Sequence, residues 1–107
     1  MSRTLLIVLA LVVATAYAHH YTPAQQKELN DRVWVCLEPI PTSGSFEAPG
    51  GYCYRESKDQ VRYGIKKEAL PNYIVKCLLD YSPTPEAAVT ATAKQCLIES
   101  LAKPLST

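Results

Sequence analysis

Four cysteines, Cys36, Cys53, Cys77 and Cys96, are the side chains whose types and spacing speak most directly to chemistry. Their number is even and no Cys-x-x-Cys pair occurs, so two disulfides are the default expectation rather than a zinc site. Four cysteines allow three connectivities, and their count does not choose among them. Histidine is confined to His19 and His20. With no internal imidazole, neither a Ser-His-Asp nor a Cys-His nucleophile can be assembled. The acidic residues are scattered, and only Asp80 and Glu99 fall in notable positions, near predicted helix ends. No glycine-rich phosphate loop or calcium loop is present. The sequence therefore predicts no catalytic residues, no metal site and no cofactor, and a protein that is not an enzyme. A free amine on His19 followed by two imidazoles would chelate copper or nickel weakly. Copper oxygenases need a further, distant histidine, which this chain lacks.

The elements that must position these cysteines read as helices. Thr22-Pro23-Ala24-Gln25 is a helix start, with Thr as cap, Pro in the first helical position and Gln three residues after the cap. Leu29, Val33, Cys36 and Leu37 follow on one face, while Lys27–Asp31 and Glu28–Arg32 are opposite charges at i,i+4 spacing. Pro39 and Pro41 close this helix, predicted over 23–38. Residues 39–51, PIPTSGSFEAPGG, read as a loop. From Tyr52 to Gly64 two readings stand: a helical turn opened by Ser57 and Gln60, or a short extended piece at 52–54. A helix is predicted over 68–80, with Pro71 in its first turn and Ile74, Cys77, Leu78 and Tyr81 on its apolar face. Pro83 stops it. Thr84-Pro85-Glu86 then repeats the opening signal, and Val89, Ala93, Cys96, Leu97 and Leu101 line a helix predicted over 85–102. The last two helices are joined by a short turn, so they form an antiparallel pair that a Cys77–Cys96 bridge could span, leaving Cys36 to Cys53.

Address and charge bound the function further. Arg3, an unbroken apolar run over 5–13 and the small residues Ala16 and Ala18 are the parts of a cleavable secretory signal over residues 1–18. The run is too short to span a bilayer, which takes roughly 20 apolar residues, and no second one follows, so no membrane anchor is expected. The remaining chain, 19–107, is a single domain by length. Of the 11 basic residues Arg3 leaves with the signal, so the basic residues that remain equal the 10 acidic ones. That balance argues against nucleic-acid binding and against a basic membrane-surface helix. Small secreted domains bury too little surface to dispense with disulfides, which agrees with the cysteine count.

Two features remain for binding. Tyr21, Tyr52, Tyr54, Tyr63, Tyr73 and Tyr81, with Trp34, offer flat apolar bodies with polar tips, suited to a core, a pocket or an interface. The loop 39–51, if closed by a Cys36–Cys53 bridge, is how a small inhibitor presents a bait segment; Ile40 or Phe46 would be the bait.

TPAQQKELNDRVWVCLE, residues 22–38, resembles the first helix of the insect odorant-binding proteins, in the group that keeps four cysteines instead of six. KCLLDYSPTPEAAVTATAKQCL, residues 76–97, resembles that family's closing helix pair, with Ala87 or Ala88 where six-cysteine members carry a further cysteine. At this level the chain is also similar to short helical disulfide proteins in the saliva of blood-feeding insects. The resemblance implies a helical bundle around an apolar cavity for a small lipophilic ligand, and the pairs Cys36–Cys53 and Cys77–Cys96.

The expectation is thus an all-α domain, a bundle of about four helices with two disulfides, secreted and extracellular. As a carrier of a small apolar ligand it would line its site with Leu29, Val33, Trp34, Ile74, Leu78, Val89 and Leu97. As a salivary or venom-type effector it would bind an extracellular protein, such as a clotting or complement protease, through Ile40, Phe46 and exposed tyrosines.

Overall fold

The computed structural model describes residues 19–40 and 48–106. The predicted signal, residues 1–18, and Phe46 lie outside the described residues. Four helices make up the fold: α1 Pro23–Leu37, α2 Pro49–Arg62, α3 Leu70–Asp80 and α4 Ala87–Ala102. No strand occurs among the described residues. Among those residues, too, no helix is long and apolar enough to cross a membrane.

α1 starts where its residues say it must. The Thr22 hydroxyl accepts from the Gln25 amide at 3.1 Å, and the Gln25 side chain accepts from the Thr22 amide at 3.0 Å. Two backbone donors at the helix start are thereby satisfied at once. Leu29, Val33, Cys36 and Leu37 form its buried face, and the pairs Lys27–Asp31 and Glu28–Arg32 both form at 2.7 Å.

α2 begins within the stretch read as a loop. Pro49 takes the first turn, where a missing N–H costs nothing. Gly50 is held there by contact: a Cβ on it would collide with the carbonyl oxygen of Leu37 at the end of α1. Of the two readings of 52–64 the helical one holds, to Arg62. Its buried stripe is Cys53, Ser57 and Val61, at i, i+4 and i+8, and Ser57 donates to the Tyr54 carbonyl at 2.9 Å. Gly64 ends it with φ 91°, a left-handed conformation that favours glycine.

α3 runs as expected with Pro71 in its first turn, though it starts at Leu70. α4 starts at Ala87, not at 85. Thr84 does not cap it, because its hydroxyl donates backward to the Tyr81 carbonyl at 2.8 Å; Glu86 stands at the cap without a side-chain bond.

Each helix has two close neighbours: α1 lies beside α2 and α4, and α3 beside α2 and α4, so that α1 faces α3, and α2 faces α4, across the core. This ring decides the disulfides. The pairs are Cys36–Cys96, joining α1 to α4, and Cys53–Cys77, joining α2 to α3. The expected Cys36–Cys53 and Cys77–Cys96 bridges do not form. On α3 the buried face is Leu70, Ile74 and Leu78, and Cys77 flanks it on the α2 side. On α4 the buried face is Thr90, Ala93, Leu97 and Leu101, and Cys96 flanks it on the α1 side. The hairpin argument gave each helix one neighbour; each has two, and both cysteines face the other one. Every edge of the ring is then covalently closed: chain connections join α1–α2, α2–α3 and α3–α4, and of the two bridges one closes α4–α1 and the other reinforces α2–α3. Disulfides accord with an oxidising compartment.

The core is Leu29, Val33, Leu37, Val61, Leu70, Ile74, Leu78 and Leu97, all at 0–1% exposure, with Ile40, Ile65 and Leu101 at its rim. Both ends of the described stretch, 19–106, are tied to the bundle. The buried Tyr21 hydroxyl donates to the Ile65 carbonyl at 2.8 Å. At the other end the Arg32 guanidinium donates to the carbonyls of Ser100, Lys103 and Pro104 at 3.2, 2.7 and 2.8 Å.

Candidate functional site

The seven residues predicted to line a ligand site do not line one together. Leu29, Val33, Ile74, Leu78 and Leu97 do face inward, but each is wholly buried against the others. In a bundle this small the inward face is the core itself. Trp34 turns outward, 38% exposed, with its ring 4.9 Å from that of Tyr54. Val89 lines a recess.

That recess is a groove of about 360 Å³ between the last turn of α1 and the first half of α4. Its floor is the Cys36–Cys96 bridge. Val35, Pro39 and Ile40 form the α1 wall, and Ala88, Val89, Thr92 and Ala93 form the α4 wall. Apart from Thr92 the side chains are hydrocarbon or disulfide sulfur. The Thr92 hydroxyl is committed to the Ala88 carbonyl at 3.0 Å, which leaves its methyl to the groove. The surface is thus apolar and carries no charge. It suits a small hydrocarbon-rich molecule, whose pockets run from about 300 Å³ upward.

The groove follows from local rules plus one long-range one. Pro39 and Ile40 leave the helix just after α1, and the Ile40 amide donates to the Leu37 carbonyl at 3.1 Å, which folds its side chain back into the protein. Ile40 is therefore 5% exposed and is a wall of the groove, not a presented bait. No bridge closes the loop 39–51 on itself, because Cys36 and Cys53 are bonded elsewhere. Sequence reasoning missed Val35, Pro39, Ala88, Thr92 and Ala93. The signal that finds them is the Cys36–Cys96 pairing, since they are the collar around that bridge.

The tyrosines divide by role. Tyr21 is core, and burial raises its phenol above the ordinary value of 10.0. Burial also raises that of Tyr54, whose ring centroid is 4.9 Å from that of Trp34 and 4.9 Å from the Lys58 ammonium. Tyr63 is exposed. Tyr52, Tyr73 and Tyr81 surround a second recess, of about 240 Å³, between α2 and α3. A third, of about 330 Å³, lies between the start of α3 and the end of α4 and mixes Lys67, Glu68 and Asn72 with Pro71, Ile98 and Leu101.

No group of three or more metal-ligating side chains comes together among the described residues. His19 packs on Tyr21, ring centroids 4.5 Å apart, and its backbone amide donates to the Gly64 carbonyl at 3.3 Å. The chain matches no protein-family model, no curated protein and no solved structure.

Proposed function

We propose that this protein is a secreted carrier of small apolar molecules, and that it holds them in the α1–α4 groove rather than in the bundle interior. The observation that carries the reading is the groove's chemistry: about 360 Å³, floored by a disulfide and walled by Val35, Pro39, Ile40, Ala88, Val89 and Ala93, with no charge in it. The secretory pattern of residues 1–18 and the two disulfides support an extracellular setting. The resemblance to the insect odorant-binding proteins supports the ligand class. The alternative, an inhibitor of an extracellular protease, draws less support, since Ile40 is buried and no bridge closes the loop that would present the bait.

Binding of the fluorescent apolar probe N-phenylnaphthylamine, displaced by decanol, tests the reading. Ala88 is exposed in the first turn of α4, where an acidic side chain suits the helix dipole. Ala88→Glu therefore leaves the melting temperature unchanged but sets a carboxylate in the groove. Probe affinity is expected to fall about tenfold or more. An affinity equal to that of the parent chain overturns the assignment.

A further inference from the structure

We infer that the α2–α3 recess is a second binding site, selective for a small organic ammonium ion. It is separate from the α1–α4 groove, shares no residue with it, and differs from it in chemistry. Three tyrosines line it: Tyr52 from α2, Tyr73 from α3, and Tyr81 just beyond α3. Tyr52 and Tyr81 are 5.6 Å apart between ring centroids and inclined at 53°, so they meet as two walls of a corner rather than as a closed stack. The Cys77 end of the Cys53–Cys77 bridge contributes to the lining.

The charges in the recess point to the sign of the ligand. Glu56 on α2 and Asp80 on α3 face it, against one ammonium, that of Lys76. The lining residues carry two carboxylates and one cation, with the Arg55 guanidinium standing outside them as a second cation nearby. Lys76 is paired with Asp80 at 3.3 Å, but both side chains are largely exposed, at 80% and 67%. An ion pair that wet is weak, so an incoming ammonium can take the place of Lys76 on Asp80. The chain already sets a cation on one of these rings: the Arg55 guanidinium lies 6.0 Å from the Tyr52 centroid.

Tyrosine faces attract cations through the ring quadrupole, and each exposed ring strengthens binding by roughly two- to fivefold. Rings alone would take any flat apolar molecule, and carboxylates alone would take any small cation. Together, in about 240 Å³, they select a compact molecule that is both, such as an arylalkyl ammonium.

Phenethylammonium is the probe, and 2-phenylethanol, of nearly the same shape without the charge, is its control. Both are titrated into the oxidised protein while the amide and ring resonances are followed. The expected result is saturable shifts at Tyr52, Tyr73 and Tyr81 with phenethylammonium, and binding at least about tenfold weaker for the alcohol. Glu56→Gln is expected to weaken the ammonium about fivefold and leave the alcohol unchanged. Tyr52→Phe keeps the ring and the binding, whereas Tyr52→Leu weakens it by roughly two- to fivefold. Tyr52 is exposed, so these variants fold, and a thermal melt checks that they do. Equal affinity for the two probes, or unchanged ammonium binding in Glu56→Gln, overturns the inference. So does the absence of shifts at the three tyrosines, or competition by decanol.

Discussion

The sulfur of Cys36 on α1 is bonded to that of Cys96 on α4 across a sequence separation of 60, and the Cys53–Cys77 bridge, separation 24, lies wholly within that span. The nesting has a direct chemical consequence. Cys36→Ala frees the thiol of Cys96, and Cys53→Ala that of Cys77. Alkylation followed by peptide mass spectrometry identifies which thiol appears. Release of Cys53 in the Cys36→Ala variant would contradict the pairing. By loop-closure entropy the outer bridge is worth about 4 kcal/mol and the inner about 3 kcal/mol, each measured with the other intact. The double variants Cys36→Ala/Cys96→Ala and Cys53→Ala/Cys77→Ala should lose stability in that order in urea titrations.

Glu28 joins the C-terminal tail to α1. It accepts from the Ser106 amide at 3.1 Å and from Arg32 at 2.7 Å. The Ser106 amide foremost, and then the Arg32 guanidinium, hold its carboxyl below the ordinary value of 4.5. A depressed carboxyl contributes stability that is present above that ordinary value and is lost as pH falls through the lower, folded value. The tail is therefore expected to stay docked at pH 5 and above and to loosen as the pH falls below the ordinary carboxyl value of 4.5. Amide exchange at Leu105 and Ser106 reads this, and Glu28→Gln should remove the pH dependence. Arg32→Ala should release the tail at every pH and cost about 2 kcal/mol, since it removes several charge-assisted hydrogen bonds from a partly buried group.

Two glycines carry different constraints. Gly64 needs its left-handed conformation, and Gly64→Ala should cost about 1 kcal/mol. Gly50 needs space, because a Cβ there meets the rigid backbone of Leu37. Gly50→Ala should cost more than Gly64→Ala, about 2 kcal/mol or above, as overpacking does. Urea midpoints rank the two. The opposite order would show that the α1–α2 approach is looser than described.

Thr90 is 7% exposed, and its hydroxyl has no hydrogen-bond partner among the described residues. Thr90→Val replaces that hydroxyl by a methyl of similar size. It should leave stability unchanged or raise it by about 1 kcal/mol, whereas Leu97→Ala in the same buried face should cost about 3 kcal/mol. Thermal melts of the two variants separate them.

How far the sequence could be read depended on range. α1 was legible to the residue at its start, because Thr22, Pro23 and Gln25 settle a helix start among themselves. α2 was hidden. Pro49-Gly50-Gly51 resembles a loop, and a buried stripe of Cys53, Ser57 and Val61 holds only one aliphatic side chain, so its periodicity is faint. Thr84 mimicked a cap, but its hydroxyl is taken by carbonyls behind it. Of the candidate site, the inward direction of Leu29, Val33, Ile74, Leu78 and Leu97 was readable from spacing. That these side chains fill the core completely was not, because the spacing does not say how much room four short helices leave. Val35 and Ala88 look like surface on their own helices. They become walls of one groove only because Cys36 meets Cys96, and no local pattern reports that.

The location of the apolar ligand is tested most directly by a methyl-labelled NMR titration of the oxidised protein with decanol. The groove reading predicts shifts at the methyls of Val35, Ile40, Ala88 and Val89, with those of Leu29, Ile74 and Leu78 unmoved. Shifts centred on Leu29, Ile74 and Leu78 would place the ligand inside the bundle and contradict it.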